Sequence, residues 1–330
     1  MDMGPIAGES MALGVSGDGR VVVGWRLIST NWPGWWSPFR WTESDGLEDL
    51  GVLNAVAASS SFDGSRIACY GISGGAQRAY LWEEGVGITD LGTLPEGTEA
   101  VATGISSDGQ VVVGFSKRPI FPGASVLEYT AFRWTEAEGM QGLGTLGGRD
   151  AYAYGASADG SVIVGTSLDS AGVAHAFRWE AGQMIAIGPP NSAAYAVSAD
   201  GRVAVGTIHG STERAFRWTS TSGAILMDTL GGSTSYGTAV SADGNVVVGK
   251  ARPASGAEQA FRWDGFRSAA DYDGDYYLQV IDLLDFIDDF ASCQQQPAPC
   301  GQYGNPDIDG DTLIDVLDFL DFIDAFAQGC

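Results

Sequence analysis

The sequence predicts a mainly β fold, a six-bladed β-propeller followed by a small α-helical module, and three observations carry that reading. A Ser-x-Asp-Gly tetrad recurs six times, with its aspartate at Asp18, Asp63, Asp108, Asp159, Asp200 and Asp243. A Phe/Tyr-x-Trp triplet alternates strictly with it and ends at Trp41, Trp82, Trp134, Trp179, Trp218 and Trp263. The spacing between copies, 39 to 52 residues, suits one four-stranded blade per repeat.

Within a unit each segment has its own signal. Residues 236–241 and Val246-Val247-Val248-Gly249 are β-prone runs joined by Asp243-Gly244, which predicts a hairpin. The tetrad Ser and Asp can hydrogen-bond to turn backbone, and Gly accepts positive φ. In Ala260-Phe261-Arg262-Trp263 alternation puts both aromatics on one strand face and the arginine on the other. A fourth strand is expected from runs such as Leu143-Gly144-Thr145-Leu146-Gly147-Gly148. The last unit lacks this run, whereas Met3-Gly4-Pro5 aligns with Ile187-Gly188-Pro189. The first residues are therefore expected to complete the sixth blade, and the propeller to occupy residues 1–265.

Residues 1–265 resemble the bacterial extracellular HAF-repeat family, whose His-Ala-Phe motif appears here in His175-Ala176-Phe177-Arg178-Trp179. The tetrad is also similar to hairpin turns of TolB-like propellers. The resemblance implies a secreted repeat protein and carries no catalytic residue across.

Charge divides the chain near residue 265. The protein has 41 acidic and 17 basic side chains, a formal charge of −24, and 48 glycines, about twice the usual share. Residues 264–330 hold 15 of those acids and one base, Arg267. There, two twelve-residue segments align without gaps. The first offers Asp271, Asp273, Asp275, Gln279 and Asp282, with the Tyr277 carbonyl; the second offers Asp307, Asp309, Asp311, Asp315 and Asp318, with the Leu313 carbonyl. Oxygen donors at loop positions 1, 3, 5, 7, 9 and 12 suit Ca²⁺ in an EF-hand-like loop, so two ions are expected. Tyr276 and Thr312 replace the usual glycine, and aspartate replaces the usual final glutamate. Helically spaced apolar residues follow each loop: Leu283, Leu284, Phe286, Ile287 and Phe290, then Phe319, Leu320, Phe322, Ile323 and Phe326.

A Ca²⁺ loop followed by one helix, twice in about 60 residues, resembles a dockerin over residues 268–330, and Gln328-Gly329-Cys330 is similar to anchors ending in Gly-Cys. Ser268 stands where such anchors open with Cys. The resemblance implies docking to a cohesin-like or cell-envelope module. It also assigns partner recognition to Val280, Ile281, Val316 and Leu317, apolar in both copies, for which core packing is the other reading.

Cys293, Cys300 and Cys330 fit a stapled small domain in an oxidising compartment, with the pairing open. Cys69, read as standing where other units have Val, is expected to be a buried small hydrophobe. An extracellular or surface location is expected although no signal segment begins at Met1, so the start is truncated, misassigned or served by another route. The acidic balance argues against nucleic acid, and no run of 18 apolar residues suggests a membrane span.

No catalytic constellation stands out. Six equivalent aspartates cannot form one site, and His175 and His209 have no nucleophile or second ligand at a telling spacing. Arg40, Arg133, Arg178, Arg217 and Arg262 read as partners of blade acids. What varies between units is more informative. The connection before the triplet is long in unit one, residues 25–37 with Trp25, Trp32, Trp35 and Trp36. It is long again in unit three, residues 115–130 with Phe115, Phe121 and Tyr129. These loops are expected to flank unit two on one face, where exposed aromatics would stack on polysaccharide; packing of each loop on its own hydrophobes is the other reading. The sequence thus predicts a non-catalytic binding protein. The alternatives are a tethered glycoside- or polysaccharide-cleaving enzyme, which would need a pair of converging carboxylates, and a purely structural extracellular matrix protein.

Overall fold

The computed structural model describes residues 9–29, 35–121, 123–227, 229–254 and 256–263. Within them lie six antiparallel sheets in chain order, the blades of a six-bladed propeller. Blade 1 holds β1 (Ser10–Val15), β2 (Val21–Ser29), β3 (Trp35–Thr42) and β4 (Gly46–Asp49), and blade 2 holds β5 (Ala55–Ser60), β6 (Arg66–Ser73), β7 (Ala76–Glu83) and β8 (Gly87–Asp90). Blade 3 holds β9 (Glu99–Ile105), β10 (Val112–Pro119), β11 (Leu127–Thr135) and β12 (Gly139–Gly142). Blade 4 holds β13 (Gly147–Ala156), β14 (Val162–Asp169), β15 (Ala174–Glu180) and β16 (Gln183–Pro190). Blade 5 holds β17 (Ser192–Val197), β18 (Ala204–Ile208), β19 (Arg214–Thr219) and β20 (Gly223–Leu226). Blade 6 shows three strands, β21 (Thr234–Val240), β22 (Val247–Arg252) and β23 (Gln259–Trp263). The strand expected from residues 1–8, Trp32, and every call on residues 264–330, including the Ca²⁺ loops, the partner-recognition residues and three cysteines, lie outside the described residues.

The first strand of each of blades 2 to 6 packs against the preceding blade, as β5 does on β1, β2 and β3. The core lies at these junctions. Phe39, Phe132, Phe177 and Phe216 of the triplets are fully buried there. Four of them pair across strands with a glycine, Gly24, Gly114, Gly165 and Gly206, and a Cβ on each glycine would come within about 2 Å of a first-strand carbonyl. Cys69 is buried as expected, but it occupies this glycine position rather than a valine one. It pairs with Ala57 and Tyr80 as Gly24 pairs with Ala12 and Phe39. Burial raises its thiol pKa.

The tetrads form the predicted hairpins. In blade 4, Ser157 Oγ donates to Asp159 Oδ1 at 2.8 Å, while the Ser161 and Val162 amides donate to Asp159 Oδ1 and Ser157 Oγ, each at 3.0 Å. The tetrads also tie blade to blade, which the repeat alone did not announce. Amides of Asp18, Phe62, Asp108, Ala158 and Ala199 donate in turn to carbonyls of Phe62, Ser107, Ala158, Ala199 and Ala242, at 2.7 to 3.1 Å. The chain of bonds runs through all six turns.

Two expectations are corrected. The Leu-Gly runs are not fourth strands; those strands are the four residues before them, such as Gly139–Gly142. Leu50, Leu91 and Leu143 instead plug the blade core at 4 to 7% exposure. Gly51, Gly92 and Gly144 then turn the chain at φ near +80°, which ends pairing. Likewise the long connections of units one and three are mostly strand. Pairing continues to Ser29–Trp35 and Pro119–Leu127, so the aromatics Trp25, Trp35, Trp36, Phe115 and Tyr129 sit on extended hairpins.

Candidate ligand-binding cleft

Strand β2 runs away from the tetrad turn, so Trp25 lies towards the opposite end of blade 1, where β3 returns with Trp36. Asn54 starts the inner strand of blade 2 at this same end, and Tyr70 and Ile72 lie late on β6. Together they line a cleft of about 340 Å³ between blades 1 and 2, with Gln77 closing one side. The sequence singled out Trp25 and Trp36 but missed Tyr70, Ile72, Asn54 and Gln77, because their approach depends on the register between blades. Trp35 stays nearby on β3, 40% exposed.

The cleft offers aromatic faces and neutral amides rather than charge. Asp49 is bonded to Ser37 and Arg26, the sequence neighbours of Trp36 and Trp25. Burial opposes ionisation of this carboxyl, but hydrogen bonds from Ser37 Oγ at 2.6 Å and the Gly51 amide at 3.0 Å, with Arg26 at 3.4 Å, lower its pKa.

Gln77 connects this cleft to blade 3 by a hydrogen bond from Lys117 Nζ, which also pairs with Glu99 at 3.0 Å. Lys117 lies 5.9 Å from the centre of the Tyr129 ring. Tyr129 packs on Tyr152 at 5.1 Å and on Phe115 at 6.1 Å, so it belongs to a cluster of its own and does not face Trp36. Phe121, 62% exposed, stands at the tip of the same hairpin. A second cavity of about 420 Å³ opens beside Lys117, Arg118 and Glu128. The two aromatic hairpins therefore do flank blade 2, joined through Gln77 and Lys117.

The triplet arginines pair with blade acids as expected: Arg40 with Glu48 and Glu84, Arg133 with Glu138, and Arg178 with Glu180. They also reach the neighbouring blade, since Arg40 and Arg178 Nε donate to the Gly64 and Gly201 carbonyls at 3.3 Å. Of the histidines, His175 spans Asp169 Oδ2 and the Gly188 carbonyl, both at 3.2 Å.

No protein-family model and no curated protein matches the chain. Solved structures do. The β-propeller domain of the Trilobed protease from Pyrococcus furiosus aligns with a TM-score of 0.53 at 13% identity, over 78% of this chain and 82% of that one. An acylaminoacyl peptidase from Pyrococcus horikoshii aligns with a TM-score of 0.56 at 9% identity, over 78% of this chain and 44% of the peptidase. TolB from Acinetobacter baumannii aligns at 15% identity with a TM-score of 0.48, over 64% of this chain and 52% of TolB. The chain thus spans about half the length of TolB and less than half of the peptidase. At these identities the likeness shows the fold alone: a six-bladed β-propeller similar to the propeller of a protease.

Proposed function

We propose that this chain is an extracellular or surface-held binding protein whose propeller recognises a neutral polysaccharide. The observation that carries the reading is the cleft between blades 1 and 2, where Trp25, Trp36 and Tyr70 converge with the amides Asn54 and Gln77. Flat rings bury the apolar faces of pyranose rings, and neutral amides satisfy hydroxyls without selecting a charge. Glycoside cleavage needs two carboxyl groups flanking the scissile bond, and among the described residues lining this cleft there is none. Support for attachment comes from the sequence. The donor set of residues 271–282 and 307–318 suits two Ca²⁺ ions, which would order a dockerin-like module for docking to a cohesin-like or cell-envelope partner.

The test is affinity electrophoresis of the full chain against soluble β-glucan, xylan and galactomannan. Retardation by at least one polymer, lost on Trp25→Ala and Trp36→Ala with an unchanged melting temperature, is the expected result. No retardation by any of them, or equal retardation of wild type and variants, overturns the reading.

A further inference from the structure

The ring contains a second place built like the first. Asn54 and Asn191 each precede an inner strand in left-handed backbone, at φ 55° and 62°. The Asn54 amide donates to the Trp36 carbonyl at 2.7 Å and its carbonyl accepts from Ile72 at 3.0 Å; Asn191 does the same with Ala174 and His209, both at 2.6 Å. The cause is connector length. From the core plug to this position the chain takes four residues in both cases, Leu50 to Asn54 and Ile187 to Asn191. At the other described junctions the connector is longer. It folds back through Thr93, Thr145 or Thr229, whose hydroxyls bond the carbonyls of Gly97, Gly148 and Gly232. The short connectors bring Asn54 and Asn191 to their clefts, whereas the longer ones contribute Leu94, Gly97, Thr145 and Gly148 to the more charged cavity beside Lys117.

At the second place the gap is a cleft of about 290 Å³ between blades 4 and 5, lined by Tyr154, Thr166, Asn191, Tyr195 and His209. The Tyr154 and Tyr195 rings lie 5.4 Å apart, tilted by 40°. Tyr195 Oη lies 2.9 Å from His209 Nε2, and His209 Nδ1 lies 3.5 Å from Glu213 Oε1. A proton on Nδ1 facing the carboxylate leaves Nε2 to accept from the Tyr195 hydroxyl. The phenol oxygen then keeps its lone pairs for a ligand hydroxyl. The cleft combines ring faces, hydroxyls and an amide, as the first does. Junctions 1/2 and 4/5 are three blades apart in a ring of six, so the two clefts open at the same end of the propeller on opposite sides of its axis.

We propose that the cleft between blades 4 and 5 is a second saccharide subsite, and that one neutral polysaccharide chain is held at both clefts across the propeller face. This rests on the reading of the first cleft as a saccharide site. Two linked weak sites raise the affinity for a polymer far above that for a short oligomer, whereas one site does not.

Calorimetry of the full chain with cellotriose and with soluble hydroxyethyl cellulose tests it. Two cellotriose sites are expected in wild type, one in Tyr195→Ala and one in Trp36→Ala. Polymer affinity should fall roughly ten-fold or more in either variant. Tyr154→Ala, which removes the other ring of the second cleft, should reproduce Tyr195→Ala and covers the case in which Tyr195→Ala does not fold. A single wild-type site with polymer binding indifferent to Tyr195→Ala and Tyr154→Ala overturns the second subsite and leaves the first. Binding lost in those variants but intact in Trp36→Ala upholds the blade 4/5 site and overturns the first. Absence of all binding overturns the two-site reading for a β-glucan, and with no retardation by xylan or galactomannan it overturns the first reading as well.

Discussion

A Cβ placed on Gly160 would lie 2.3 Å from Val111 Cγ2, across the junction between blades 3 and 4. The same contact recurs between Gly64 and Val21, Gly201 and Val162, and Gly244 and Val203. These four tetrad glycines therefore have two reasons to lack a side chain, a positive φ, +66° at Gly160, and a neighbouring blade against the α-carbon, whereas the space around Gly19 is open. Gly172 has only the first, at φ +78° with open space around it.

These cases separate the two costs. Gly172→Ala should lose about 1 kcal/mol, the penalty for a left-handed L-residue. Gly160→Ala should lose about 2–4 kcal/mol, because overpacking adds to that penalty. Val111→Ala in the Gly160→Ala background should recover part of the difference. Urea denaturation of the three variants gives the comparison, and equal losses for Gly160→Ala and Gly172→Ala would remove the packing argument.

Acid should loosen the tetrads. Hydrogen bonds from the Ser65 amide, Ser61 and Ser65 hold the Asp63 pKa at about 2, against an ordinary 3.8. The Ser161 amide, with the Ser161 and Ser157 hydroxyls, does the same for Asp159, also at about 2. A depressed carboxyl contributes its stability above the unfolded-state pKa and loses it as pH falls through the folded-state one. The loss belongs between about pH 4 and pH 2. Asn at positions 63 and 159 keeps an acceptor but does not titrate. The double variant Asp63→Asn and Asp159→Asn should therefore show a shallower fall in melting temperature over that window than wild type. Parallel curves would assign acid sensitivity to other groups.

Blade 2 exchanges two residue types found elsewhere. Leu81 stands where other blades have the triplet arginine and is 5% exposed, while Arg66 stands where they have valine. Arg66 reaches the Gly109 carbonyl at 3.3 Å and Glu83 at 3.0 Å, so the bond to the next tetrad glycine survives from a different strand. Two arginines would crowd like charges at that carbonyl, and two apolar residues leave it without the bond. Arg66→Val and Leu81→Arg should each destabilise, the second by about 3 kcal/mol, since it buries a charge beside an existing one. The double variant should recover at least about 1 kcal/mol of the summed loss. Additive losses in a double-mutant cycle would show that the positions are independent.

What was legible in the sequence was local. Ser157, Asp159 and Gly160 make their turn with one another, so six copies of that spacing predict six hairpins. Phe177 announces its burial by alternation within a single strand. Contacts between blades leave no such trace. Tyr70 meets Trp25 and Trp36 only because blade 2 packs on blade 1 in a particular register. Leu143 resembled a strand residue because its burial was read without the turn that Gly144 imposes. One interblade signal was nonetheless present: Asn54 and Asn191 stand four residues after Leu50 and Ile187, where other units insert three or four more.

Calcium should control the C-terminal segment without touching the propeller. On the proposed reading, the carboxylates of Asp271, Asp273, Asp275 and Asp282, and those from Asp307 to Asp318, would repel one another without a cation, and two Ca²⁺ ions would offset that charge. Adding millimolar Ca²⁺ to the full chain should raise its helical circular dichroism and protect residues 268–330 from proteolysis, and a chelator should reverse both. Asp271→Ala or Asp307→Ala should each halve the bound Ca²⁺, while the thermal transition of the β-rich propeller stays in place. A proteolysis pattern and helical signal indifferent to millimolar Ca²⁺ would rule out the ion as the ordering agent.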